Sequence, residues 1–257
     1  MYFFKSHEQA IDHMKTNPNK HIAVATLVLL PLLSLLTSLT CKAETNNSLV
    51  IAGVQTSSKS TYAYSMAIVP FSDTKLGQGW YQKAGFSWLT YRYDGTLNSN
   101  TREVSAKAPG IEAGIGHMWN NEDSRLDLSA TLGYRHIEIS PFTPAGDRDG
   151  NVFILNPQIQ ASRQFNSSID AELLANYAIG LGSSFTRTRL GWKPVAGWRT
   201  GLEGIWQEGK NYRVTQQGLF LSKTLASGMT LEINAGQAKP QNVSASAYIG
   251  LSFASTY

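Results

Sequence analysis

From about residue 48 to the C-terminus, apolar and polar residues alternate with a period of two, in segment after segment of roughly ten residues. Successive side chains of an extended strand point to opposite faces, so this pattern asks for strands with one apolar and one polar side. The clearest run is 154–164, where Leu155, Ile159 and Ala161 alternate with Asn156, Gln158, Gln160, Ser162 and Gln164. Next, Ile169, Ala171, Leu173, Ala175, Tyr177 and Ile179 alternate with Asp170, Glu172 and Asn176. Leu126, Leu128, Ala130, Leu132 and Tyr134 alternate with Asp127, Ser129, Thr131, Gly133 and Arg135, and Ile111, Ala113 and Ile115 with Glu112, Gly114 and Gly116. A tilted strand needs about 9–11 residues to cross a bilayer, which is the length of these runs.

A soluble sandwich also alternates, so the filling of the second face decides. Here one face is aliphatic and aromatic, and the other mixes Gly, Ser, Gln, Asn and widely spaced charges, as a barrel lumen does. Composition agrees: charged residues are 16% of the chain, against roughly 25% in ordinary soluble proteins. Twelve strands are expected, at roughly 48–56, 61–71, 79–93, 106–119, 125–139, 152–165, 168–179, 185–195, 198–207, 212–225, 229–238 and 244–254. Tight turns are expected at Asn120–Ser124, Asn166-Ser167, Ala196-Gly197 and Ala226–Gly228, and long polar loops at 94–105 and 140–151. Trp80, Tyr81, Tyr91, Tyr93, Trp119, Trp192, Trp198, Trp206 and Tyr212 fall near strand ends and suit interfacial girdles. Backbone amides in lipid all need partners, which only a closed ring supplies. The fold expected is therefore all-β: a transmembrane, antiparallel, up-and-down β-barrel of about twelve strands over residues 44–257. Its surroundings are outer-membrane lipid. The last strand, ending in Tyr257 with the parity of Phe253, Leu251 and Ile249, resembles the signal read by barrel assembly machinery.

Residues 1–43 read as a signal peptide: Lys15 and Lys20 precede the apolar run from Ile22 to Thr40, and Cys41-Lys42-Ala43 has the small-x-small form of a cleavage site. Met14 opens a more typical signal, so residues 1–13 read as an over-called start. An uncleaved anchor is the alternative, since the run is long enough to span. Cleavage would remove the one cysteine of the chain, Cys41, and with it disulfide and thiolate chemistry. The formal charge of +4 falls to +2 beyond residue 43, with no basic run to suit nucleic acid.

No metalloprotease, nucleophile-elbow, Cys-x-x-Cys or phosphate-loop pattern occurs. His117 and His136 fall on the outward parity, where packing at the interface is their simplest role. The GDRDGN segment at 146–151 lacks the spacing and terminal Glu of an EF-hand loop, so no metal or other cofactor is expected. The residues that matter are the inward charges: Glu112, Asp127, Arg135, Asp170, Glu172, Arg187, Arg189, Arg199, Glu203 and Glu232. They suit either an ion-pair lattice that fills the lumen or a polar conduit or sugar-binding surface with Arg187, Arg189 and Arg199 as a basic strip.

The order of the motifs TYAYSMAIVPF at 61–71, GWYQKAGFSWLTYRYD at 79–94, GIGHMW at 114–119, LSATLGYRHIEISP at 128–141, YAIGLGSSFTRTRLGWKP at 177–194 and GLEGIWQEGKNYRVTQQGLFLS at 201–222 resembles the cellulose biosynthesis protein BcsS family of Gram-negative bacteria. That resemblance implies a non-catalytic outer-membrane accessory of cellulose or exopolysaccharide production, with a cellulose-like polysaccharide and the cellulose synthase complex as partners. It carries no catalytic motif over. Three other readings stay open: a small-solute pore, a purely structural barrel, and an outer-membrane lipid hydrolase for which His136 and Ser140 are the one pair to test.

Overall fold

A computed structural model describes residues 48–72, 74–97, 100–141, 149–210, 212–241 and 244–257; the expected signal peptide lies outside them. No described helix is long and apolar enough to cross a membrane. The described chain is built of strands: β1 (Leu49–Ser57), β2 (Ser60–Pro70), β3 (Gly79–Leu97), β4 (Asn100–Asn120), β5 (Ser124–Ser140) and β6 (Gly150–Gln164). The second half adds β7 (Ile169–Ala178), β8 (Ser183–Trp192), β9 (Trp198–Gly209), β10 (Tyr212–Thr224), β11 (Thr230–Pro240) and β12 (Ser246–Thr256). Each strand pairs antiparallel with its predecessor, and β12 pairs with β1 to close the ring. Paired amides at Ser48 and Tyr257, 2.9 Å each way, seal the seam. All twelve expected strands are present, and apart from the facing ends of β3 and β4, which run four and six residues further, each lies within three residues of its expected ends.

Alternation sets the two faces. Outward positions are apolar and bare, with Leu132 72% and Phe153 79% exposed. An apolar surface of that extent is stable only against lipid. Trp80, Trp119, Trp192, Trp198 and Trp206 lie outward, as expected of girdle residues. His117 packs between two of them, 5.0 Å from Trp80 and 4.2 Å from Trp119. Tyr81, Tyr91, Tyr93 and Tyr212 do not join the girdle. Tyr81 is buried on the lumenal side, Tyr91 and Tyr93 pack on an inner apolar cluster, and Tyr212 lines the lumen. In a strand, neighbours such as Trp80 and Tyr81 cannot both face lipid.

The expected long polar loop at 94–105 is instead strand. β3 and β4 stay paired up to Leu97↔Asn100, giving strands of 19 and 21 residues. Here the polarity of the two faces reverses. Glu103, Ser105 and Lys107 point outward and are exposed, while Val104, Ala106 and Ala108 are buried inside with Ile137, Ile139, Val152 and Ile154. The reversal marks where the wall rises out of lipid into water: a polar outer face then needs an apolar inner one to pack. The end without the termini therefore differs in strand height more than in loop length. Its joints at 58–59, 98–99 and 210–211 span two residues each, whereas 71–78, at the termini's end, is longer. Of the 140–151 loop, Ser140 closes β5 and Gly150 opens β6, and Asp149 accepts a 3.1 Å hydrogen bond from the Ile139 amide. The tight turn at Ala196-Gly197 is present, with Gly197 at φ +74°, which a side chain rarely adopts.

Candidate functional site

Because β7 to β12 each present alternate residues inward, charges remote in sequence meet across neighbouring strands. Arg189 on β8 donates to Glu203 on β9 at 2.6 Å and, through both terminal nitrogens, to Glu232 on β11 at 2.9 and 2.7 Å. Glu203 also accepts from Asn234 (2.9 Å) and the Tyr248 hydroxyl (3.2 Å). One strand over, Arg199 grips Asp170 through Nε (2.9 Å) and reaches Glu172 at 3.1 Å, while Lys193 holds the other Asp170 oxygen at 3.2 Å. The Phe220 ring lies between the two arginines, each guanidinium carbon 4.7 Å from its centre. Ion pairs out of bulk water persist only when their remaining hydrogen bonds are met, and the cation–π contacts tie the two clusters into one wall.

The opposite wall is made by β3, β4 and β5. Tyr81 donates to Asp127 at 2.6 Å, with Arg125 3.5 Å away, and Lys83 donates to Ser129 at 2.8 Å. Glu112 accepts from Thr131 at 2.7 Å, and Arg135 donates to Ser87 at 3.2 Å. Between the walls lies a cavity of about 450 Å³, lined in part by Tyr62, Tyr64, Glu112, Arg135, Arg187 and Asn156. Tyr62 faces this lumen and is still 40% exposed, so water reaches it.

The structure therefore gathers Asp170, Glu172 and Arg199 in one cluster, Arg189, Glu203 and Glu232 in a second, and leaves Glu112, Asp127 and Arg135 on the facing wall. Arg187, Arg189 and Arg199 do not form a strip of free cations, because carboxylates claim the last two; Arg187 alone has no hydrogen-bond or ion-pair partner among the described residues. Lys83, Tyr62, Tyr64, Phe220, Asn234 and Gln216 also face the lumen and were not expected from the sequence. Extending strand parity through β2, β3, β10 and β11 would have found them. His136 and Ser140 sit four residues apart on one strand, about 13 Å along it. At that separation, and with Nδ1 of His136 bonded to Asn151 at 2.7 Å, the two do not form a nucleophile–base pair. Among the described residues, no cluster of three or more His, Cys, Asp or Glu is arranged to hold a metal.

A closed twelve-stranded ring with a lipid-facing belt and a charged lumen defines an outer-membrane β-barrel. Solved structures agree in fold. They include an outer membrane channel from Pseudomonas putida F1 (TM-score 0.54, 11% identity, covering 84% of this chain and 97% of that one). The beta domain of the Bordetella autotransporter BrkA is similar too (TM-score 0.50, 14% identity, 82% and 98% covered). The chain belongs to the cellulose biosynthesis protein BcsS family, whose model matches residues 49–256. No curated protein sequence matches it significantly.

Proposed function

We propose that this barrel is a non-catalytic accessory of cellulose biosynthesis in the outer membrane. Membership of the family supports a role in cellulose biosynthesis. The observation that carries the finer reading is one of boundaries: the family match runs 49–256, and the ring runs from Leu49 to Thr256. The family's contribution then belongs to the barrel itself rather than to an appended domain. The lumen supports a binding or guiding role over bond chemistry, since its carboxylates and cations mostly hold one another. In this reading residues 1–43 direct export, the tall β3–β6 end faces outward, and the synthase complex is the partner on the cell side.

The test is a deletion strain assayed for cellulose-specific dye binding and secreted glucan, then complemented with the wild-type chain. Membrane fractionation and heat-modifiable gel mobility of the barrel are followed in the same cells. Glucan lost on deletion and restored by the gene is the expected result. Unchanged glucan with a correctly folded barrel would overturn the assignment and favour a small-solute pore.

A further inference from the structure

The cavity wall is unevenly charged. Asp127 is held by Arg125, and Glu232 by Arg189. Three cations of the lining have no carboxylate within ion-pair distance among the described residues. Lys83 bonds Ser129, Arg135 bonds Ser87 and leaves its buried Nε without an acceptor, and Arg187 has no partner among the described residues. Against these three, Glu112 is the one lining carboxylate held by no cation, its partner being the Thr131 hydroxyl. Arg189 answers two carboxylates, Glu203 and Glu232, and Arg187 lies within electrostatic reach of both, so the chamber keeps a small net positive charge, which is costly in a confined space unless an anion or water answers it.

The uncharged groups add shape to that surplus. On β2 the rings of Tyr62 and Tyr64 stack 5.6 Å apart at 21°, giving the cavity an aromatic surface with two hydroxyls. Arg135 and Glu112 lie within electrostatic reach of Tyr62, and Arg187 of Tyr64. The buried Oδ1 of Asn156, on the same cavity, has no donor. An aromatic ring face, unspent N–H donors and an unspent acceptor are what a sugar ring asks of its site, and guanidinium groups bind carboxylate and phosphate through paired N–H bonds.

We propose that the lumenal chamber binds an anionic saccharide, its carboxylate or phosphate received by Arg135 and Arg187 and its ring laid on the Tyr62–Tyr64 surface. This holds whether or not the barrel serves cellulose production, and its test is separate from that of the role in the cell. Purified full-length barrel in detergent would be titrated by calorimetry with glucose, glucuronate, glucose 6-phosphate and inorganic phosphate. Glucuronate or glucose 6-phosphate is expected to bind about tenfold or more tightly than glucose and than inorganic phosphate, and the tighter of the two names the acid group. Arg187→Gln and Arg135→Gln are each expected to weaken that binding about tenfold or more, since each removes a charge-assisted hydrogen bond. Heat-modifiable mobility reports closure of each variant. Should one fail to close, the other and the wild-type ranking decide. Glucose bound as well as its acids, inorganic phosphate bound as well as the sugar phosphate, no binding at all, or closed arginine variants with unchanged affinity would each overturn the proposal.

Discussion

The Glu203 side chain is 0% exposed, and its charge is answered by Arg189 with help from Asn234 and Tyr248. Removing one partner of such a pair strands the other, at a cost of about 3–5 kcal/mol. Arg189→Met is therefore expected to lower the urea midpoint of the folded barrel by an amount equivalent to that loss, read from the heat-modifiable band. Replacing Arg189, Glu203 and Glu232 together with apolar residues of similar volume should restore most of the loss, because a fully replaced buried ion pair is close to neutral. Phe220→Leu forfeits two cation–π contacts but keeps the packing, so its cost is smaller, about 1–2 kcal/mol. The order is the informative part. If Phe220→Leu destabilises more than Arg189→Met, the ring rather than the ion pair organises this wall.

Along single strands, polarity reverses between belt and rim, and substitutions should follow that reversal. Leu132 sits in the belt and Glu138 beyond it, both on the outer face of β5. Leu132→Lys should cost about 2–4 kcal/mol in a bilayer and Glu138→Lys about 0–1, measured by urea unfolding in lipid vesicles. Equal costs would place the rim of β5 inside the membrane. This reversal also sets what the sequence made legible. The number and order of strands followed from period-two alternation alone, because lipid outside and water inside make the period strong in every segment. The height of β3 and β4 did not. In 103–106 the alternation persists with its sense inverted, Glu103 and Ser105 outward and Val104 and Ala106 inward, and the polar stretch 94–105 that holds it reads as loop. Parity puts the inward charges on one face of their strands. It could not choose their partners: Arg189 reaches Glu232 three strands round the ring, a pairing fixed by wall curvature and strand stagger rather than by spacing in the chain.

Across the whole ring, the lumen is narrowed by side chains from opposite walls. Tyr64 on β2 and Arg187 on β8 stand six strands apart in a ring of twelve, half a circuit, yet lie within electrostatic reach of each other. Tyr212 on β10 and Arg135 on β5, five strands apart, do the same. A barrel of this size has backbone room for a water-filled bore, and these side chains reach into it from both walls. The expected consequence is a small single-channel conductance for the wild-type barrel in planar bilayers. It should rise several-fold when Tyr64 and Arg187 are both replaced by Ala, and anion preference should fall because the unpaired guanidinium is gone. The same double replacement at Trp206 and Leu202, which face lipid, should leave conductance unchanged and so controls for general loosening. If the lumenal variant conducts no more than wild type, the passage is closed elsewhere. The inner apolar cluster of Leu49, Ile51, Met66, Ile68, Tyr81 and Met118 at the termini's end is then the next barrier to open. Excluding water there takes no ion pair at all, since a narrow apolar constriction dewets by itself.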